Sequence, residues 1–212
     1  MKTKQGDFIE IEYVGKVNNN VFDVTSEELA KKHNIHNPKT KYKPAIICLG
    51  YRDLLQGLDD QLIDKEINKQ YTIEIPPEKG FGKRNPKLLK LLKTSVFAEH
   101  EINPMPGLQV NMDGLVGIIK TVSGGRTIVD FNHPLSGKNL TYEITIKKII
   151  TNPKEKVESI LSLLGDESKV EVKNKETIIT GSVKKEIQKK LSDEIKKRIK
   201  EITVVTFKEK QK

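Results

Sequence analysis

An interruption constrains this chain more than any other feature. Residues 7–14 alternate apolar and polar side chains, residues 71–75 read as a second strand stopped by Pro76-Pro77, and residues 140–149 resume a Thr/Tyr/Ile alternation. Period-two alternation is the mark of a sheet with one face buried. From Lys83 the character changes: Leu88, Leu89, Leu91, Leu92 and Val96-Phe97 form an apolar cluster broken by lysines, and Asn103-Pro104-Met105-Pro106-Gly107 is a turn. Short strands near 109–112, 116–121 and 127–131 follow, separated by Asp113-Gly114 and Gly124-Gly125. A small β-rich module is therefore inserted between two strands of a larger sheet.

The larger sheet has further parts. Asn18-Asn19-Asn20 mark a turn, and Thr25 with Glu28 makes a capping box that starts a short helix through Lys32. Residues 34–44 are a loop, 46–49 a buried strand ended by Gly50, and Leu54, Leu55, Leu58 and Leu62 lie near helical spacing. A boundary falls at Thr151-Asn152-Pro153. Beyond it the pattern predicts a helix (154–164), strands at 169–173 and 176–180, a long helix (183–200) and a strand (202–208). Val183, Ile187, Leu191, Ile195 and Ile199 form one apolar stripe on the long helix. A unit of about 60 residues is near the lower limit for a self-sufficient core, and its strands leave edges that need cover. Pairing with a second copy to give a homodimer is the reading we favour from sequence. Docking onto the first domain is the rival, and RNA binding by the lysine face the outsider.

Composition narrows the function. The longest apolar run, Ala45-Ile46-Ile47-Cys48-Leu49, is far too short for a membrane span, and the first residues carry no signal-peptide pattern. One cysteine, Cys48, cannot close a disulfide within the chain and reads as a buried thiol, which fits a cytoplasmic protein. The formal net charge is +9, yet only Arg52, Arg84, Arg126 and Arg198 are arginines, and the lysines are interspersed with Glu and Asp. Arginine is the usual fork for base edges and phosphates, so a solvated surface is favoured over nucleic-acid binding. Phosphate-loop, nucleophile-elbow and zinc signatures are missing. His33 and His36 read as a solvated loop, His100 as exposed, and no metal site is expected.

What remains is aromatic and aliphatic residues at strand ends. Tyr13-Val14-Gly15-Lys16, Val21-Phe22-Asp23, Leu49-Gly50, Leu54-Leu55-Gln56-Gly57-Leu58, Pro76-Pro77-Glu78-Lys79-Gly80-Phe81-Gly82 and the segment from Asn132-His133-Pro134-Leu135 to Thr141-Tyr142 occur in an order that resembles the FKBP family of peptidyl-prolyl isomerases. Within it the chain is similar to SlyD-type members with an insert-in-flap domain, and its tail to the longer archaeal-type members rather than to a His-rich metal-binding tail.

The resemblance implies an α+β fold: an antiparallel FKBP-like sheet wrapped on a short helix, an inserted β-rich domain and a C-terminal α-β-β-α-β domain. The implied domains are 1–83 with 133–151, 84–132, and 152–212. It implies a pocket for the proline ring lined by Tyr13, Phe22, Leu54, Leu55, Leu58, Phe81 and Tyr142, with Asp23 as its carboxylate. The Leu55 N–H is then a donor to the substrate carbonyl. It also implies isomerisation of Xaa-Pro bonds in unfolded or partly folded chains, without a cofactor. Leu58 stands where many members have Trp, and Phe81 where many have Tyr, so the flat ring and the hydroxyl donor that those members offer a macrolide inhibitor are both lost. In the insert, Leu88, Leu91, Leu92, Phe97, Met105, Leu108 and Met112 are the candidates for holding unfolded chains, shared with the insert's own core. The alternative is a non-enzymatic protein-interaction or nucleic-acid-binding scaffold on the same frame.

Overall fold

The computed structural model describes residues 1–209, and the elements below are those of the described residues. In chain order they are β1 (Phe8–Val17), β2 (Asn20–Val24), α1 (Glu27–Lys32), β3 (Ala45–Cys48), α2 (Gln56–Gln61), β4 (Gln70–Ile75), β5 (Leu89–Lys93), α3 (Ser95–Glu99), β6 (Gln109–Met112), β7 (Leu115–Ser123), β8 (Arg126–Asp130), β9 (Leu140–Ile150), α4 (Pro153–Leu163), β10 (Lys169–Lys173), β11 (Glu176–Thr180), α5 (Lys185–Arg198) and β12 (Val204–Lys208). They divide into two compact units: Pro76–Lys138, and everything before and after it. No helix among them is long and apolar enough to cross a membrane.

In the first unit β1 is the organising strand. It pairs antiparallel with β9 along nearly its whole length, with β3 over its first half and with β2 over its second, while β4 pairs with the other edge of β9. Asn18 and Asn19 both adopt positive φ (47° and 65°), the conformation a tight hairpin needs, so β2 turns back at once along β1. Sequence reading placed the turn but not this strand, because its five residues lack a clear alternation. The helix cap also shifts by one residue. Ser26, not Thr25, caps α1 by accepting from the Leu29 N–H, and Thr25 instead bonds β1.

Alternation sends β1 side chains to two different cores. Ile9 and Ile11, with Ile144 and Ile146 of β9, Ile73 and Ile75 of β4, and Leu58 and Leu62 at α2, are buried. Helix α2 packs on β4, where the Gln61 side chain donates to the Glu74 carbonyl at 3.2 Å. Phe8 points the other way. It sits opposite Cys48 and Ile150, and these three join one apolar cluster with Val157, Ile160, Leu161, Leu191, Ile195 and Ile202 of the tail.

The tail thus finds its partner within the chain. Its sheet runs β10-β11-β12, antiparallel then parallel, and its helices cover that sheet and the Phe8 end of β1. The stripe expected on α5 is buried at Leu191, Ile195 and Ile199 but 41% exposed at Ile187. Part of the tail's apolar face packs on Phe8, Cys48 and Ile150 of the chain's own first domain, the contact named as the rival to a second copy. Three residues of β1, β3 and β9 suffice to complete the small core.

The second unit holds a four-stranded antiparallel sheet in the order β5-β8-β7-β6. Three of these strands are legible in sequence. The fourth, β5, hides because lysines punctuate its leucines. Phe97 on α3, Val110, Ile119 and Val129 form the core, with Leu92, Leu108 and Met112 packed against it.

Candidate active site

The site is built where β1, β2 and β9 lie side by side. Gly15 on β1 pairs with Asp23 on β2 and with Tyr142 on β9, and Tyr13 pairs with Ile144. Opposite residues in a sheet share a face, so the rings of this face converge. Tyr13 and Tyr142 meet edge to face with centroids 5.7 Å apart, and Phe22 meets Tyr142 at 5.8 Å and 88°. Gly15 makes the space for them. A Cβ there would lie 2.9 Å from Tyr142 Cε1 and 3.1 Å from Phe22 Cζ. Sequence reading quoted Gly15 in a motif but gave it no role; nothing short of the packed rings reveals it.

Asp23 sits beside the rings. Burial raises its pKa, while a hydrogen bond from the Tyr13 hydroxyl and one from the Val24 N–H pull it back down. Burial also raises both tyrosines, and the Asp23 charge adds to the effect. Tyr13 is fixed from behind, its N–H donating to Thr25 Oγ1 at 3.0 Å while the Thr25 N–H donates to the Tyr13 carbonyl at 3.2 Å. From Tyr13 and Asp23 a cavity of about 470 Å³ runs past Tyr42 and Ile46 to Ser159 and Leu163 of α4.

The leucines belong to the same unit. Leu58 is buried on α2, Leu54 and Leu55 are half-buried before its first turn, and the Leu55 carbonyl accepts from Leu58 and Asp59 N–H groups at 2.9 and 3.0 Å. Their loop is held by two carboxylates that sequence reading passed over. Asp59, 1% exposed, accepts the N–H groups of Gly50 (2.8 Å) and Arg52 (3.0 Å), and Asp53 accepts the Cys48 N–H at 2.8 Å.

Phe81 lies in the other unit, its ring stacked on His133 at 4.3 Å and 1°, with its carbonyl accepting from Ser136 Oγ. The two legs of that unit are clasped. The Asn85 N–H donates to Asn132 Oδ1 at 2.8 Å, the Asn132 amide donates back to the Asn85 carbonyl, and Arg84 pairs with Asp130. Of the insert's seven candidate residues, Leu88, Leu91 and Met105 are exposed, Leu92, Leu108 and Met112 are half-buried, and Phe97, at 2%, is core. Phe97 falls on the core side of the expected split, its large ring filling the small module's centre. Leu89, Leu115 and Val116, exposed too, were not among the candidates. The histidines His33 and His36 fall after α1 in a loop, where His36 stacks on Tyr42.

Three rings and one carboxylate form this site, the carboxylate accepting a hydrogen bond from the Tyr13 hydroxyl, and an apolar face of this kind suits a reaction that changes a conformation rather than a bond. A family model described as FKBP-type peptidyl-prolyl cis-trans isomerase matches residues 1–98, and one described as FKBP26, IF domain, matches residues 90–135. The short-type peptidyl-prolyl cis-trans isomerase of Methanocaldococcus jannaschii is 32% identical over 146 residues, spanning 69% of this chain and 93% of that protein. The FKBP-type 16 kDa peptidyl-prolyl cis-trans isomerase of Escherichia coli is 32% identical over 112 residues, 50% of this chain and 74% of that one. SlyD of Vibrio cholerae is 31% identical over 101 residues, 46% and 50% respectively. The chain belongs to the FKBP-type peptidyl-prolyl cis-trans isomerases, in the SlyD-like group.

Proposed function

We propose that the pocket at Tyr13, Phe22, Asp23 and Tyr142, with Leu54, Leu55 and Leu58 of the same unit, isomerises Xaa-Pro bonds in unfolded or partly folded polypeptides. The observation that carries this is the ring cluster closed over Gly15 with Asp23 at its edge. Amide rotation faces a barrier of roughly 18–20 kcal/mol because resonance is lost at the twisted state. For Xaa-Pro the two end states differ by only about 1 kcal/mol, so lowering the barrier is the whole task. A dry aromatic pocket favours the twisted amide, which has lost polarity, over the planar one, which water solvates well. The Leu55 N–H, before the first turn of α2, holds the substrate carbonyl, and Asp23 supplies a charge at the edge of the rings. A coupled tetrapeptide assay tests this: acceleration at micromolar enzyme supports it, and an inert protein favours the scaffold reading.

The insert is proposed to hold client chains for the pocket to which the chain tethers it. Leu89 and Leu91 on β5, half-buried Ile118 and Ile128, and Val116 on β7 share the sheet face turned away from the Phe97 core. An exposed apolar face of this kind suits short apolar stretches of many sequences. The unit boundaries proposed are those of the clasp, with the insert lying between Arg84 and Asn132. A cytoplasmic location is proposed on the single reduced thiol. A homodimer through the C-terminal domain is retained on one observation, the open edge of β12 with Val204 49% exposed. Light scattering on the full chain at tens of micromolar decides it, a monomer refuting it, and salt-sensitive RNA binding would promote the nucleic-acid alternative.

A further inference from the structure

The C-terminal domain reaches the loop that carries the pocket leucines at the end of α5. Arg198, the last residue of α5, places Nη1 2.8 Å from Asp53 Oδ1 and donates from Nε to Glu194 at 3.1 Å. Its side chain is 13% exposed and that of Asp53 6%. The guanidinium also lies over the Tyr51 ring at 4.8 Å, and the Tyr51 hydroxyl donates to the Lys197 carbonyl at 3.4 Å. Asp53 immediately precedes Leu54 and Leu55.

That loop needs holding. Arg52 has φ +62°, a left-handed conformation that side chains rarely adopt and that persists only where the surroundings over-determine it. Asp59 ties the loop from inside through the Gly50 and Arg52 N–H groups. Asp53 ties it to β3 through the Cys48 N–H, and Arg198 completes the frame from the tail. A buried ion pair contributes little net stability but fixes one geometry among several. A planar guanidinium, forked between two carboxylates and stacked on a ring, does so better than a flexible ammonium.

We propose that Arg198 is a positioning residue for isomerisation: through Asp53 it sets the Leu54–Leu55 segment of the pocket wall, so the C-terminal domain is part of the catalytic frame. This rests on the pocket reading above. It differs from a merely structural role because the effect must pass through Asp53.

The test is a double-mutant cycle in the full chain, read as tetrapeptide kcat/KM well below the melting temperature. Arg198→Gln and Asp53→Asn should each lower kcat/KM roughly tenfold, since small displacements of positioning groups are costly in rate. The double variant should be no worse than either single, as expected when two residues act as one unit. Arg198→Lys should recover part of the loss, keeping the charge without the fork. If Arg198→Gln alone fails to fold because Asp53 is left buried and unpaired, the double variant, which removes both charges, carries the comparison with the parent. Parent-like kcat/KM in a folded Arg198→Gln or double variant overturns the proposal, as do losses that multiply in the cycle. A parent protein without activity would instead overturn the pocket reading.

Discussion

Burial raises the pKa of Asp23, so its ionised form is less favourable in the folded chain than in the unfolded one. The sign of the linkage follows. Between the unfolded and the raised folded pKa the native state holds a proton that the unfolded state has lost, so stability falls as pH rises through that window and stays lower above it. Asp23→Asn keeps an acceptor for the Tyr13 hydroxyl and the Val24 N–H but removes the charge. The variant should melt higher than the parent at pH 7 and nearly level with it at acidic pH. Its turnover should fall more than its substrate affinity, and the acid limb of the parent's pH–rate profile should flatten. Unchanged turnover with an unchanged limb would take Asp23 out of the mechanism. Gly15→Ala tests the rings. The added methyl meets Tyr142 and Phe22 inside contact distance, so it should cost about 1–3 kcal/mol and lower activity. Tyr142, 4% exposed, is as much core as pocket, so Tyr142→Phe is the cleaner probe of its hydroxyl than the alanine variant. The aromatic residues were legible because a family motif carries them in order. Gly15, Asp53 and Asp59 were not, since their roles arise from what packs against them.

At the scale of elements, legibility followed alternation. β1, β4 and β9 announce themselves by period, and the long helix of the tail by its apolar stripe. β2 is set by the hairpin turn rather than by its own residues, and β5 by pairing with β8, with lysines alternating through its leucines. That surplus of exposed leucine is what gives the insert a surface to use. Leu91 and Val116 are 59% and 53% exposed and outside the insert's own core. Replacing both with Ser should leave tetrapeptide isomerisation and the insert's fold intact. It should slow the catalysed refolding of a proline-limited protein several-fold, because a weak chain-binding site tethered to the pocket by the same chain makes the second encounter intramolecular. Removing residues 84–132 should do the same, as β5 to β8 and the clasp leave together. Equal loss of both activities would make the insert a support for the pocket rather than a holder of chains.

For the molecule as a whole, the decisive fact is that the first domain and the tail share a core. Phe8, Cys48 and Ile150 are buried by tail residues, and Arg198 locks to Asp53 beside them. Sequence composition showed two small modules, and it could not show that the one completes the other, because the three residues that join them come from three separate strands. Cys48 reports on this contact. It is fully buried, and burial first, then the Asp53 charge, pushes its thiol up to about 12, so the native protein should react with a thiol reagent only through opening. If the shared core unfolds as a unit, Cys48 labelling and the fluorescence of the first domain's tyrosines, read in a Tyr51→Phe background because Tyr51 touches the tail and free of any tryptophan background, should follow one urea transition. A tail that detaches first would expose Cys48 at a lower urea concentration than the one at which the tyrosine signal changes. Such early labelling would mean that the tail is an independent domain resting on the isomerase, and coincident curves that a chain cut after residue 151 loses the floor under β1 and β3 and cannot hold its pocket.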